Sequence, residues 1–128
     1  MIRQHFYVEH YWEVIIYYNL DYDLLCDVVQ DLKLHGFSKN FVKEVLYNMY
    51  VEEAKAVTCS NTEKTISIVI FNPHDDVQDY INSIVHEAEH VKQAMLRAYD
   101  VEDKGEAPAY AIGYIVKKMY EIFSQIEY

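Results

Sequence analysis

The chain has 128 residues, of which 52% are hydrophobic and only 3 are Gly and 2 Pro, so it can bury one real core and does not have a disordered composition. The formal net charge of −10 argues against nucleic acid and anionic membrane surfaces as partners, because both attract clustered Lys and Arg. No apolar run approaches the roughly 20 residues that span a bilayer, and the N-terminus lacks the apolar segment of a signal peptide. We therefore expect a cytoplasmic protein with a single domain over residues 1–128.

The first part of the chain predicts one strand followed by two helices. Aromatic and β-branched residues dominate from Phe6 to Tyr18, a composition that favours a strand. Asp21 is a candidate N-cap for a helix that would end at Gly36, and Ser38 is a candidate N-cap for a second helix. Cys26 falls on the apolar face of the first of these helices, where we expect it to be buried as a small hydrophobic residue.

The next part predicts a hairpin and a long helix. Two segments rich in β-forming residues, 56–59 and 65–71, flank a polar turn, so an antiparallel hairpin is the simplest arrangement. Asp75, with Gln78 three residues later, has the spacing of a capping box. The apolar positions that follow recur at helical spacing to about Tyr99, which predicts an amphipathic helix.

The most informative motif lies in that helix, where the sequence is His86-Glu87-Ala88-Glu89-His90. Two imidazoles four residues apart project from the same helical face, and this arrangement can present two nitrogen ligands to a zinc ion. Glu87 is then within reach of a metal-bound water as a general base. We expect the two histidines to lie at the border of the apolar face and to be partly dehydrated.

A third ligand is expected from the last helix, because catalytic zinc typically has three protein ligands and one open position. A polar loop over residues 100–105 reverses the chain, and the last helix is expected to begin near Glu106, sixteen residues after His90. An antiparallel return across a short loop places its first turn near the later turns of the preceding helix. Three other carboxylates remain competing candidates, and these are Asp100, Glu102 and Asp103.

Two simpler interpretations and one other metal class have to be weighed. Each histidine taken alone fits a partly buried residue of a packed helix, and Glu106 taken alone fits an acidic residue stabilised by the helix dipole. The spacing from Glu87 to His90 also matches the Glu-x-x-His element of di-iron carboxylate bundles. That class needs a second such element on another helix, and the sequence has none.

The sequence His86-Glu87-x-x-His90, followed by Glu106-Ala107-x-Ala109-Tyr110, resembles the zincin metallopeptidases of the glutamate-liganded type. It is most similar to small zincin-like domains encoded by bacteriophages and other mobile elements. The resemblance covers roughly Asp75 to Phe123, with the strand Thr65–Phe71 in its expected place before the motif helix. It implies an α+β fold in which a small antiparallel or mixed sheet packs on helices and the motif helix is followed by a C-terminal helix.

The resemblance also implies roles for individual residues. His86, His90 and Glu106 would be the ligands of a Zn2+ ion, and Glu87 would be the general base. Tyr110, one turn beyond Glu106, would donate a hydrogen bond to the tetrahedral intermediate.

The expected function is zinc-dependent hydrolysis of peptide bonds in a peptide or protein substrate. An extended substrate is expected to pair with the edge of the strand Thr65–Phe71 through main-chain hydrogen bonds. The alternative is a zincin-shaped interaction or assembly module of phage origin, without catalysis, whose metal is structural or vestigial. The substrate sequence, the partner proteins and the oligomeric state are left open.

Overall fold

The computed structural model describes residues 1–126, in which a four-stranded mixed sheet has two helices on each face. The strands are β1 (Ile2–Val8), β2 (Trp12–Tyr18), β3 (Ala56–Asn61) and β4 (Ile66–Phe71). Their spatial order is β1-β2-β4-β3. β1 is antiparallel to β2, β2 is parallel to β4, and β4 is antiparallel to β3. The predicted α+β class, mixed sheet and antiparallel hairpin are therefore confirmed.

The N-terminal strand predicted over Phe6 to Tyr18 is wrong, because this segment contains a tight turn between β1 and β2. Glu9 and His10 form the turn with φ values of 55° and 67°. Such left-handed conformations are usually taken by Gly or Asn, so the local sequence carries none of the usual turn residues.

The strand predicted as the substrate edge is central in the sheet. β4 pairs with β2 on one side and with β3 on the other, and all six of its residues are buried. Its unbroken apolar run agrees with a strand that is covered on both faces. The prediction that a substrate pairs with Thr65–Phe71 is therefore wrong, and the edges of this sheet are β1 and β3.

Two hydrophobic cores lie on opposite faces of the sheet. The helices are α1 (Leu25–Leu34), α2 (Lys39–Tyr50), α3 (Val77–Ala98) and α4 (Glu106–Phe123), and a short 3-10 turn (Tyr22–Leu24) precedes α1. One core joins the sheet to α1 and α2, and the other joins it to α3 and α4. None of the helices in residues 1–126 combines the length and the apolar composition of a membrane span.

The helix caps differ from the predicted ones in two places. Ser38 caps α2 as expected, since its hydroxyl accepts a hydrogen bond from the backbone N–H of Phe41 at 3.1 Å. Asp21 caps the 3-10 turn rather than α1 itself. The N-cap of α3 is Asp76 and not Asp75.

The predicted burial of Cys26 is wrong, since this residue is exposed. The buried residues of α1 are Val28 and Leu32, and Cys26 lies on a different side of the helix.

Replacing Asp76 with Ala is expected to lower the free energy of unfolding by about 1 kcal/mol. The carboxylate of Asp76 accepts a hydrogen bond from the N–H of Asp79 at 2.7 Å, and Ala leaves that donor without its partner. Urea unfolding measures the change. Asp75→Ala is the control, because it removes the same charge one residue earlier without removing the cap, and an equal loss in both variants would contradict the assignment.

Candidate metal centre

The two histidines of the motif converge at the surface of α3. Their Nε2 atoms are 3.2 Å apart, and the rings lie nearly perpendicular, with centroids 4.8 Å apart. Two nitrogen ligands of a tetrahedral zinc ion, each about 2.0–2.1 Å from the metal, are separated by about 3.3 Å. Without a metal, one imidazole donates a hydrogen bond to the other across this distance. The pair thus fits two corners of a zinc site with little rearrangement.

Both histidines are exposed, contrary to the prediction that they are partly dehydrated. The side chain of His86 is 67% accessible, and His90 is also exposed. The buried face of α3 instead includes Ile84, Glu87 and Val91, and the histidines fall beside this face rather than within it. A metal ion or a large ligand can therefore reach the pair from solvent.

Glu87 is the acidic residue on the buried face of the motif helix. Its side chain is only 6% accessible, and its Oε1 accepts a hydrogen bond from Thr58 Oγ1 of β3 at 2.9 Å. Its Oε2 lies 3.9 Å from His86 Nε2. The two carboxylate oxygens thus face different groups, one the sheet and the other the histidine side. Sequence reasoning did not identify Thr58, although its place on a hairpin strand next to the motif helix could have suggested a polar partner.

Two other potential ligands, one in β3 and one just before α3, are unsuited to bind a metal as they stand. Cys59 is buried, and burial together with the charge of Glu87 raises the pKa of its thiol to about 12, so it is protonated at neutral pH. His74 lies in the segment just before α3. Its Nδ1 contacts the carbonyl oxygen of Asn72 at 2.7 Å and its Nε2 contacts Ser83 Oγ at 2.8 Å, so both ring nitrogens are engaged. Burial lowers the pKa of His74.

The structure does not bring Glu106 together with the histidine pair. Lys92 follows His90 by two residues, or about 200° around the helix, and binds Asp103 of the α3–α4 loop at 2.9 Å. The loop and the histidines therefore lie on opposite sides of α3. Glu106 begins α4 after this loop, and α3 continues about 12 Å beyond His90 before the loop begins. Among residues 1–126, no group of three or more His, Cys, Asp or Glu side chains is placed to hold a metal.

Two of the competing carboxylates are engaged in ion pairs. Asp103 contacts Lys92, which is itself buried. Burial alone would lower the pKa of Lys92, but its hydrogen bonds with Asp103 and Glu89 raise it above the usual value. Glu102 pairs with Lys104 at 2.9 Å on the surface. Asp100 takes a left-handed φ of 54° where α3 turns into the loop. These residues shape the connection between the two helices.

Tyr110 lies on the exposed side of α4, with 72% of its surface accessible. With Tyr7, Tyr114 and the β1–β2 turn it lines a depression of ≈ 460 Å³. Neither His86 nor His90 lines this depression. The predicted role of Tyr110 in stabilising an intermediate stays a prediction from the resemblance.

Comparisons with models of known families, with curated protein sequences and with solved structures give no significant match. The resemblance to zincin metallopeptidases therefore depends on His86-Glu87-x-x-His90 and Glu106-Ala107-x-Ala109-Tyr110 and remains a prediction. The mixed α+β fold is the coarser feature on which sequence and structure agree.

Proposed function

We propose that the protein is a zinc-dependent metallopeptidase in which His86 and His90 hold the metal and Glu87 is the general base. The observation that carries this proposal is the geometry of three side chains on one helix. The histidine Nε2 atoms have the separation of two zinc ligands, and a nearly buried carboxylate has one oxygen 3.9 Å from the nearer of them. An accidental pair of surface histidines does not require a buried carboxylate beside it.

The chemistry assigned to the chain itself is proton transfer by Glu87. A zinc ion bound by the pair would supply an acidified water and a polarised substrate carbonyl. Glu87 would accept the proton of the nucleophile through Oε2, because Oε1 is already occupied by Thr58. The same carboxylate would then pass the proton to the leaving amine. Its low accessibility removes competing bulk water from the base.

The edge of β3 is the proposed docking site for an extended peptide. Within the described chain, β3 pairs with β4 on one side only, so its other side can accept a further strand through main-chain hydrogen bonds. Thr58 of this strand contacts Glu87, so a peptide added there runs close to the base. The edge of β4 cannot take this role, because its pairing with β2 leaves no room for a further strand.

The direct test combines metal analysis with proteolysis of a peptide library. We expect the wild type, purified without chelator, to carry about one equivalent of zinc and to cleave peptides in a manner abolished by chelation. The variant His86→Ala/His90→Ala is expected to lose both zinc and cleavage. The matched control is His10→Ala, which removes an exposed histidine from the β1–β2 turn. Full zinc content in the double variant would contradict the proposed ligands.

A second candidate is an assembly module with a structural metal, and one observation favours it. The described chain supplies two converging nitrogens but no third ligand beside them, whereas structural zinc is usually bound by four protein ligands. The missing ligands would then come from another molecule. Light scattering with and without zinc separates the two functions, because a bridging metal raises the molecular mass and a catalytic metal leaves it unchanged.

A further inference from the structure

Thr58 occupies the position in β3 that touches the general base. Its Oγ1 donates to Glu87 Oε1 over 2.9 Å, which leaves Oε2 on the side of His86. Glu87 is nearly buried, and a buried carboxylate that loses a hydrogen-bond donor is costly. The hydroxyl of Thr58 therefore stabilises the charged carboxylate and selects which of its oxygens faces the histidines.

The backbone of the same residue points to the open edge of the sheet. In the β3–β4 ladder, Asn72 N–H donates to the carbonyl oxygen of Lys55 at 3.0 Å, which makes this directly opposed pair a hydrogen-bonded one. Antiparallel pairs alternate between hydrogen-bonded and non-hydrogen-bonded. Thr58 lies opposite Val69, three residues beyond Lys55, so it falls in a non-hydrogen-bonded pair. Its N–H and C=O therefore point away from β4.

A second hydrogen bond in the sheet supports this assignment of hydrogen-bonded and non-hydrogen-bonded pairs. Leu20 N–H donates to the carbonyl oxygen of Phe71 at 2.8 Å, so the backbone of Phe71 points away from β3. Phe71 lies opposite Ala56, two residues before Thr58, and residues two apart share the same orientation. Ala56 and Thr58 thus both present backbone groups to the open edge.

We infer that Thr58 is a positioning residue that couples the docked substrate strand to the general base. This inference rests on the proposed function and adds a residue from outside the motif His86-Glu87-x-x-His90. A peptide that pairs with the N–H and C=O of Thr58 fixes the residue whose side chain holds Glu87. A docked strand therefore restrains the carboxylate of Glu87 when the scissile bond is next to it. We expect the contact between Thr58 and Glu87 to affect the chemical step more than the substrate affinity.

The test compares three substitutions in the same hairpin. Thr58→Val keeps the shape but removes the donor, and we expect kcat to fall about tenfold or more while KM stays within about twofold. Thr58→Ser restores a hydroxyl and should recover most of the rate. The control Thr62→Val makes the same chemical change in the exposed β3–β4 turn and should behave like the parent.

Unfolding of the metal-free protein supplies a readout that does not depend on activity. We expect Thr58→Val to lower the urea midpoint in the parent but to have little effect in a Glu87→Met background, where no buried carboxylate needs the donor. Additive effects of the two substitutions would overturn the contact.

Different results would overturn the peptidase function and the positioning role of Thr58. If the parent cleaves peptides and Thr58→Val is as active as Thr62→Val, the inference is overturned and the peptidase function stands. If kcat falls in Thr58→Val but Thr58→Ser does not recover it, the hydroxyl is not the cause and the inference is again overturned. If the parent cleaves no peptide in the zinc-loaded state, the proposed function fails and the coupling to substrate fails with it.

Discussion

Replacing Glu87 with Gln is expected to reduce peptide turnover by about 10²–10⁴-fold, the usual contribution of a general base, while the zinc content stays that of the parent. The amide has nearly the volume of the carboxylate but cannot accept a proton at neutral pH. Its carbonyl oxygen can still accept the hydrogen bond that Thr58 donates to Oε1. The fold around α3 is therefore preserved, and the loss is confined to proton transfer.

Glu89→Gln is the matched control for this substitution. Glu89 lies on the same helix two residues further on, and its carboxylate contacts Lys92 and Gln93 rather than the histidines. Turnover and bound zinc are measured on the same preparations. Parental activity in Glu87→Gln would remove Glu87 from the mechanism. Loss of zinc in Glu87→Gln, but not in Glu89→Gln, would make Glu87 a ligand instead of a base.

The local parts of the structure were accessible from the sequence. The period of apolar residues located α3, and the hydroxyl of Ser38 located the start of α2. The hairpin of β3 and β4 followed from two β-rich segments around a polar turn. Each of these features depends on interactions within a few residues, which a single sequence records directly.

The features that the sequence did not predict depend on long-range packing. The parallel pairing of β2 with β4 makes β4 central, and no local pattern distinguishes a central strand from a buried edge. The side of α3 on which the loop passes follows from the packing of α4 in one core with α3, and the contact of Lys92 with Asp103 lies on that side. Glu106 has the right spacing from His90 along the chain, but this spacing does not specify the side of the helix from which α4 returns.

The largest difference in zinc affinity is expected between His90→Ala and Glu106→Gln. Removing one of the two converging imidazoles should weaken zinc binding by more than about 100-fold, since loss of even an outer-shell partner costs about 10–100-fold. Glu106 begins α4 after the loop that Lys92 contacts through Asp103, and no described group of three ligand side chains unites it with the histidine pair. Salt largely screens the charge of a side chain that lies more than about 8–10 Å from the metal, so Glu106→Gln should bind zinc within about twofold of the parent.

Competition with a zinc chelator on both variants decides between two arrangements of the site. If only His90→Ala loses affinity, the metal is held by the histidine pair and its other positions are open to solvent, substrate or a second molecule. If Glu106→Gln loses as much, the first turn of α4 must move to the other side of α3 when zinc binds, which requires the contact of Lys92 with Asp103 to break. Asp103→Asn would then tighten zinc binding, because it weakens the ion pair that holds the loop on the opposite side. If the histidine pair alone holds the metal, Asp103→Asn leaves the zinc affinity unchanged.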